Sequence, residues 1–416
     1  MVLLLPLAPM SAARKPGAVE PFFDARKHRT QYAGPAGETA RAADLEEVRI
    51  GYFGPSDPKD PLGGDIWLAA RLAIEQANAS GGYRGKPFKL MVAWSKDPWG
   101  NGAKKLVGLV YRQRIWAIVG GIDGPSTHLA EQVVTKARLT LISPVSSDPT
   151  TNLANVPWMF SVLPGDHVTA GPLASEIARR TGPNGLVVLS ADDHDSRIFT
   201  LELRKALKQR RVGLRRQFEF RRGAKQSGQL VAQVLEIRPA AVVIAAGPGD
   251  SARLVGALRA GKYEGEIFGG AAMGRREFLA RAADAGRGVV FPLLYNSSKS
   301  SKSAAEFSKA FHRKYGRLPD YTAAYTYDAV RMLIAAIRKA GLNRAGIRDA
   351  VAGLAPWTGV TGAVRWDGLG SNTRAPSLGT ITAGRPRALP KPPVQDALTR
   401  RSVRWQSLRR RSCVTP

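Results

Sequence analysis

The chain has 416 residues, 44% of them hydrophobic, a single cysteine and a formal net charge of +29. That length suits two domains with tails to spare. It contains no run of the roughly 18–20 apolar residues that a membrane span needs, and the lone Cys413 excludes an internal disulfide or a thiolate metal cluster. The basic excess would suit phosphate backbones, but neither zinc-finger spacing nor a single-strand aromatic signature accompanies it, so no specific nucleic acid is expected as a partner.

In chain order, residues 1–13 form a short apolar run ending in small residues before Arg14-Lys15. They read as the hydrophobic and cleavage regions of a secretory signal, truncated because a basic start is missing. The alternative is an apolar N-terminus on a cytosolic protein. Residues 14–45 mix Pro, Gly, Ala and charges without periodicity and read as a linker or arm.

From Val48 a repeating pattern begins, in which an apolar β-rich run is followed by a Gly-, Asp- or Ser-containing turn and then an amphipathic helix. The first half predicts strands at Val48–Phe53, Phe88–Trp94, Ile115–Val119 and Leu139–Ile142, with helices near 65–79, 100–113 and 126–137. The second half repeats the scheme with strands at Gly185–Leu189, Phe218–Phe220, Ala241–Ala245 and Glu266–Phe268, and helices near 195–210, 225–236 and 249–260. After Val289–Phe291 come helices near 303–315, 321–340 and 344–353, then strands at 359–365 and 377–382. Two βα arrays in succession predict two doubly wound, Rossmann-like α/β lobes, each a parallel sheet covered on both faces. From Arg385 the chain carries nine basic residues against one acid, Asp396, and this 385–416 tail reads as largely disordered. Its charge offers a contact for membrane surfaces or glycans.

Ligands of open α/β sheets bind beyond the carboxyl ends of the strands, where helix N-termini present free N–H groups. Two loops of the first lobe stand there. Gly120–Thr127 opens into a helix and offers the hydroxyls of Ser126 and Thr127, either as a cradle for a carboxylate or as a helix cap. Ser143–Pro149 offers Ser146 and Ser147, with a plain structural turn as the alternative. In the second lobe, Ser190–Ser196 brings His194 and Asp195 to a strand end as candidate ligand contacts. Neighbours on one turn cannot all converge on one point, and Asp suits a helix N-terminus in any case, so neither a metal site nor a catalytic set is read there. No Walker sequence and no nucleophile with its base is present, which argues against a cofactor and against an enzyme.

The order of several short motifs resembles a known family. They are Val48-Arg-Ile-Gly, Gly64-Asp65 leading into Ala69–Asn78, Gly81-Gly82, Gly85-Lys86-Pro87, Asp97-Pro98, Val119-Gly120, Ser143-Pro144, Tyr327-Asp328-Ala329 and Gly362–Asp367. Over Val48–Thr382 the sequence is similar to the type I periplasmic binding proteins of the leucine/isoleucine/valine-binding kind, the receptors of branched-chain amino-acid ABC importers. The resemblance implies two lobes joined by three crossovers, near 160–166, 288–295 and 356–362, so that lobe one comprises 46–162 and 291–358 and lobe two 163–290 and 359–384. It further implies an exported protein, without cofactor, that captures a small polar ligand of amino-acid, amide or carboxylate type for an ABC permease. A sensing receptor and a sugar-nucleotide transferase are the rival readings.

Within the resemblance, the ligand carboxylate is held by the loops that fall on Gly124–Thr127 and Val145–Ser147. The family's acid for the ligand ammonium falls on Ala271, which has no charge to offer, so the resemblance implies either a ligand that is not a standard amino acid or a charge supplied by Asp195 or Asp123 instead. An inter-loop disulfide of some relatives falls on Lys96 and Asp123, and an ion pair is expected there instead.

Overall fold

The β-rich runs and the amphipathic stretches between them assemble into two parallel sheets, each with helices on both faces, in a computed structural model that describes residues 39–181, 184–224, 228–296 and 301–390. The signal-like segment 1–13, most of the 14–45 arm and residues 391–416 of the basic tail lie outside the described residues. No described helix is long and apolar enough to cross a membrane.

The first sheet has six strands, all parallel, in the order Ser371–Asn372, Met159–Pro164, Thr140–Ser143, Ala117–Gly120, Val48–Phe53 and Phe88–Ala93. The second has seven, in the order Arg385–Ala388, Ser377–Thr382, Val290–Leu293, Glu266–Gly269, Ala241–Ala245, Asn184–Ala191 and Gly213–Phe220, of which Ser377–Thr382 alone runs antiparallel to its neighbours. Central strands read as unbroken apolar runs because both of their faces are covered. Every residue of Ala241–Ala245 is buried, and alternate side chains enter different cores. Val242 and Ile244 join Leu254 and Leu258 on one face, while Ala241, Val243 and Ala245 join Leu173 and Leu203 on the other.

The strand Gly213–Phe220 begins five residues earlier than the apolar pattern predicts. It lies at the sheet edge with mostly exposed or half-buried side chains, so charged residues such as Arg215 and Arg216 are tolerated within it. Two elements without a predicted counterpart, the strand Met159–Pro164 and the helix Asp166–Thr181, carry the chain from the first sheet to the second.

The late helices Lys302–Tyr315, Tyr321–Ala340 and Arg344–Ala352 return to lobe one. Tyr321–Ala340 packs its buried face, including Leu333 and Ile337, into the same core as Ile66 and Ala69 of the helix Gly64–Ala79. The chain passes between sheets at Gly165, between Leu293 and Lys302, and between Asn372 and Ser377. The third passage therefore falls later than the expected 356–362. That stretch is instead a hairpin, Trp357–Gly359 with Gly362–Val364, held on lobe one by the buried carboxylate of Asp328, which accepts N–H bonds from Val360 and Thr361 at 2.9 Å each.

Candidate functional site

In both sheets the first strand of the array lies between its second and third strands, so each lobe has its topological switch point at the carboxyl end of that strand, facing the other lobe. Between these ends is a cavity of about 170 Å³. That is smaller than the roughly 300–1,000 Å³ of drug-sized sites and suits a small solute. Lobe one lines it with Leu62, Ile122, Asp123, Val145 and Ser147, and with Arg222, Ala246 and Ala271 lobe two supplies the opposite wall. Arg275, Tyr321 and Phe199 also reach it.

The loop Gly120–Thr127 folds as a helix start. Gly121 takes φ +77, and a Cβ there would lie 2.1 Å from Thr127 Oγ1, so this tight approach needs glycine. Asp123 is the N-cap of the helix Gly124–Ala137. Its carboxylate accepts the Ser126 N–H at 2.9 Å, while Ser126 Oγ accepts from the N–H groups of Ile122 at 3.0 Å and Asp123 at 3.3 Å. Ser126 is fully buried in this cap. Thr127 is equally buried and faces Ser143 Oγ at 3.4 Å. Ser146 is buried as well, and its Oγ accepts from Asp148 N–H. The structure thus places Ser126, Thr127 and Ser146 behind the cavity wall, with the hydroxyls of Ser126 and Ser146 engaged by their own loops and that of Thr127 facing Ser143 on the neighbouring strand. Among the four hydroxyls expected to contact the ligand, Ser147 is the one on the lining, and it donates to Asp166 Oδ2 at 3.0 Å. The expected Lys96–Asp123 ion pair is absent, with Asp123 committed to the cap and Lys96 exposed.

From lobe two, Asp195 crosses the cleft. Its Oδ1 accepts the Gly124 N–H at 2.9 Å, so a carboxylate of the protein itself occupies the amide at the N-terminus of the lobe-one helix. Burial, together with Asp123, Asp148 and Asp193 and against the Gly124 hydrogen bond, pushes the Asp195 carboxyl up to about 7. Burial also pushes Asp166 well above the ordinary carboxylate range; Ser147 opposes this, and Asp195 and Asp148 add to it. Asp193 caps the helix His194–Gln209 through Ser196 N–H at 3.1 Å. His194 does not line the cavity. Its Nε2 lies 2.6 Å from Asp148 Oδ2, across the cleft from its own lobe.

Ala271 does line the cavity, without a charge of its own. The carboxylates on the lining are Asp123, Asp166, Asp193 and Asp195. Two cations face them. Arg275 is spent on Asp320 at 2.8 Å and on the carbonyl of Leu62 at 2.8 Å, whereas Arg222 has no ion-pair partner among the described residues. Asp166 and Arg275 escaped sequence reasoning. Asp166 follows a strand unmarked by any turn motif, and Arg275 is one of many arginines in a basic chain. The arrangement is a polar, acid-rich chamber between the two lobes.

The sequence profile described as periplasmic binding protein matches residues 47–381. An amino acid binding protein of Pseudomonas aeruginosa is 28% identical over 144 residues, which cover 32% of this chain and 38% of that protein, so the match spans well under half of the relative's length. Among solved structures, the branched-chain amino acid transporter substrate binding protein LivJ of Streptococcus pneumoniae, in complex with isoleucine, superposes with a TM-score of 0.75 at 21% identity, over 82% of this chain and 98% of that one. An ABC transporter substrate-binding protein of Desulfitobacterium hafniense, in complex with Leu, does so with a TM-score of 0.71 at 22% identity, over 83% and 100%. At these identities the likeness is one of fold.

Proposed function

We propose a ligand class and a partner for this chain from the premise that it belongs to the periplasmic binding protein family and is a solute-binding protein, not an enzyme. Membership sets aside the transferase reading. The solute is a small molecule carrying a cationic group, of the amino-acid or simple amine class, held between the lobes and delivered to an ABC importer outside the cytoplasmic membrane. One observation carries the ligand class: the lining brings four carboxylates, Asp123, Asp166, Asp193 and Asp195, around about 170 Å³, and its buried arginine is already neutralised by Asp320.

Carboxylates gathered in a closed cleft repel one another, and an ammonium desolvated among them gains charge-assisted hydrogen bonds that water would otherwise supply. Arg222 stands on the same lining and suits a ligand carboxylate. Asp195 supports this reading because it supplies a lobe-two carboxylate to the lining where Ala271 offers no charge. Ser147 acts through Asp166, whose carboxylate it orients. Closure over such a ligand is a hinge movement of the two lobes about the three connecting strands of chain.

The test is to release the bound solute from freshly purified protein by denaturation and identify it by mass spectrometry, then titrate the emptied protein with it. An amine-bearing compound that rebinds saturably is expected. A released solute without a basic group, or no saturable binding by any amine or amino acid, contradicts the reading.

A further inference from the structure

At the mouth of the cleft, His128 of the helix Gly124–Ala137, Asp148 of the next loop and His194 at the start of the helix His194–Gln209 each present one potential ligand atom, all within 4.8 Å of one another. His128 and Asp148 belong to lobe one and His194 to lobe two, so the cluster spans the interface. Both imidazoles aim Nε2 at the same oxygen: Asp148 Oδ2 lies 2.6 Å from His194 and 3.2 Å from His128.

The surroundings of these three groups are ordered in the way metal ligands are ordered. The other Asp148 oxygen, Oδ1, accepts the Thr150 N–H at 2.8 Å and its hydroxyl at 2.6 Å, which fixes the carboxylate and leaves Oδ2 facing the imidazoles. On the far side of His128, Nδ1 has Glu131 Oε2 at 3.6 Å, a buried carboxylate placed to orient the ring, while Nε2 also lies 2.9 Å from Thr150 Oγ1. The two rings stand edge to face, at 89° and 6.0 Å between centroids, so their nitrogens approach Oδ2 from different directions. The Asp148 side chain is fully buried while that of His194 is 39% exposed, which gives a fixed inner ligand and a path from solvent.

We propose that His128, Asp148 and His194 bind a divalent transition-metal ion of the zinc class, joining the two lobes beside the solute cavity. Two imidazoles and a carboxylate match the borderline donor set of zinc, and three protein ligands leave one position open for water. Two imidazoles converge on one oxygen while the other is occupied by Thr150, so three potential ligand atoms stand within 4.8 Å, and an ion entering among them would replace the direct His194–Asp148 contact of 2.6 Å. Because ligands come from both lobes, the metal favours the closed form, and metal and solute strengthen each other's binding.

The experiment is zinc titration of the full chain by calorimetry after removal of adventitious metal with a chelator, with no solute added, so that the outcome is independent of the proposed ligand. One zinc ion per chain is expected for the native protein and for His312→Ala, which alters an exposed histidine on the distant helix Lys302–Tyr315. His194→Ala and Asp148→Asn are expected to lose that binding, and Glu131→Gln to weaken it by roughly 10–100-fold. Circular dichroism checks the fold of each variant; His194 is exposed enough that its truncation keeps the test valid if Asp148→Asn does not fold. No zinc uptake by the native chain, or uptake unchanged in His194→Ala, overturns the proposal.

Discussion

The two halves of the cleft use similar polar residues to opposite ends. On the lobe-one side, Ser126, Thr127 and Ser146 occupy the expected loops, yet each hydroxyl is buried and engaged within lobe one, Thr127 by Ser143 and the other two by their own loops. On the lobe-two side and at the first crossover, Asp195 and Asp166 reach the cavity with their carboxyls pushed upward by burial and by one another. The first set stabilises the walls, and the second leaves charge that a ligand can neutralise. A loop in the right place at a strand end does not make its hydroxyls contacts; what decides is whether the local backbone has already used them.

The largest effect should come from breaking the neutralisation of the cavity's one buried cation. Arg275→Met leaves Asp320 buried and unpaired, which should cost about 3–5 kcal/mol of stability, read as a lowered midpoint in urea unfolding. Next is the acid side itself. Asp195→Asn keeps an acceptor for the Gly124 N–H but removes the charge, and losing one member of a buried charge pair should weaken an amine ligand by about 2–5 kcal/mol, at least about thirtyfold by calorimetry. An unchanged affinity would break the comparison.

Asp166→Asn sharpens it through pH. With its folded carboxyl raised above the ordinary value near 3.9, native Asp166 contributes stability that is full below about pH 3.9 and is lost as pH rises through the folded value. Melting temperatures across this range should show the variant gaining on the native protein as pH increases, while its affinity for an amine falls. The smallest effect belongs to lobe one: Ser126→Ala should cost about 1 kcal/mol of stability and leave ligand affinity unchanged, a contrast that thermal melts and one titration resolve.

The periodicity of the apolar runs made the two-lobed fold legible from the sequence, because strands covered on both faces must be apolar along their whole length, as Ala241–Ala245 is. The third crossover was misplaced because the hairpin Trp357–Val364 is anchored by a single buried carboxylate, Asp328, about thirty residues upstream in the chain, and no local pattern records that bond. The site was only partly legible. Asp123-Gly-Pro-Ser126 carries the signature of a capped helix start, with Asp at the cap and Pro at the first turn, so the fate of Ser126 was readable. The convergence of Asp195 on Gly124 was not, since it depends on how the lobes close. A Cβ on Gly124 would meet Asp195 Oδ1 at 2.6 Å and Asp148 Oδ2 at 2.8 Å, an intimacy between lobes that sequence spacing cannot express.

The central claim is that the cleft selects positive charge, and a matched ligand pair tests it most directly. Calorimetric titration of the emptied protein with the released amine-bearing solute, and with its analogue in which the amine is replaced by a hydroxyl, compares affinities at equal size and shape. The account predicts that the hydroxyl analogue binds at least about thirtyfold more weakly, the cost of leaving the carboxylates without their counter-charge. Equal or tighter binding of the hydroxyl analogue would contradict it.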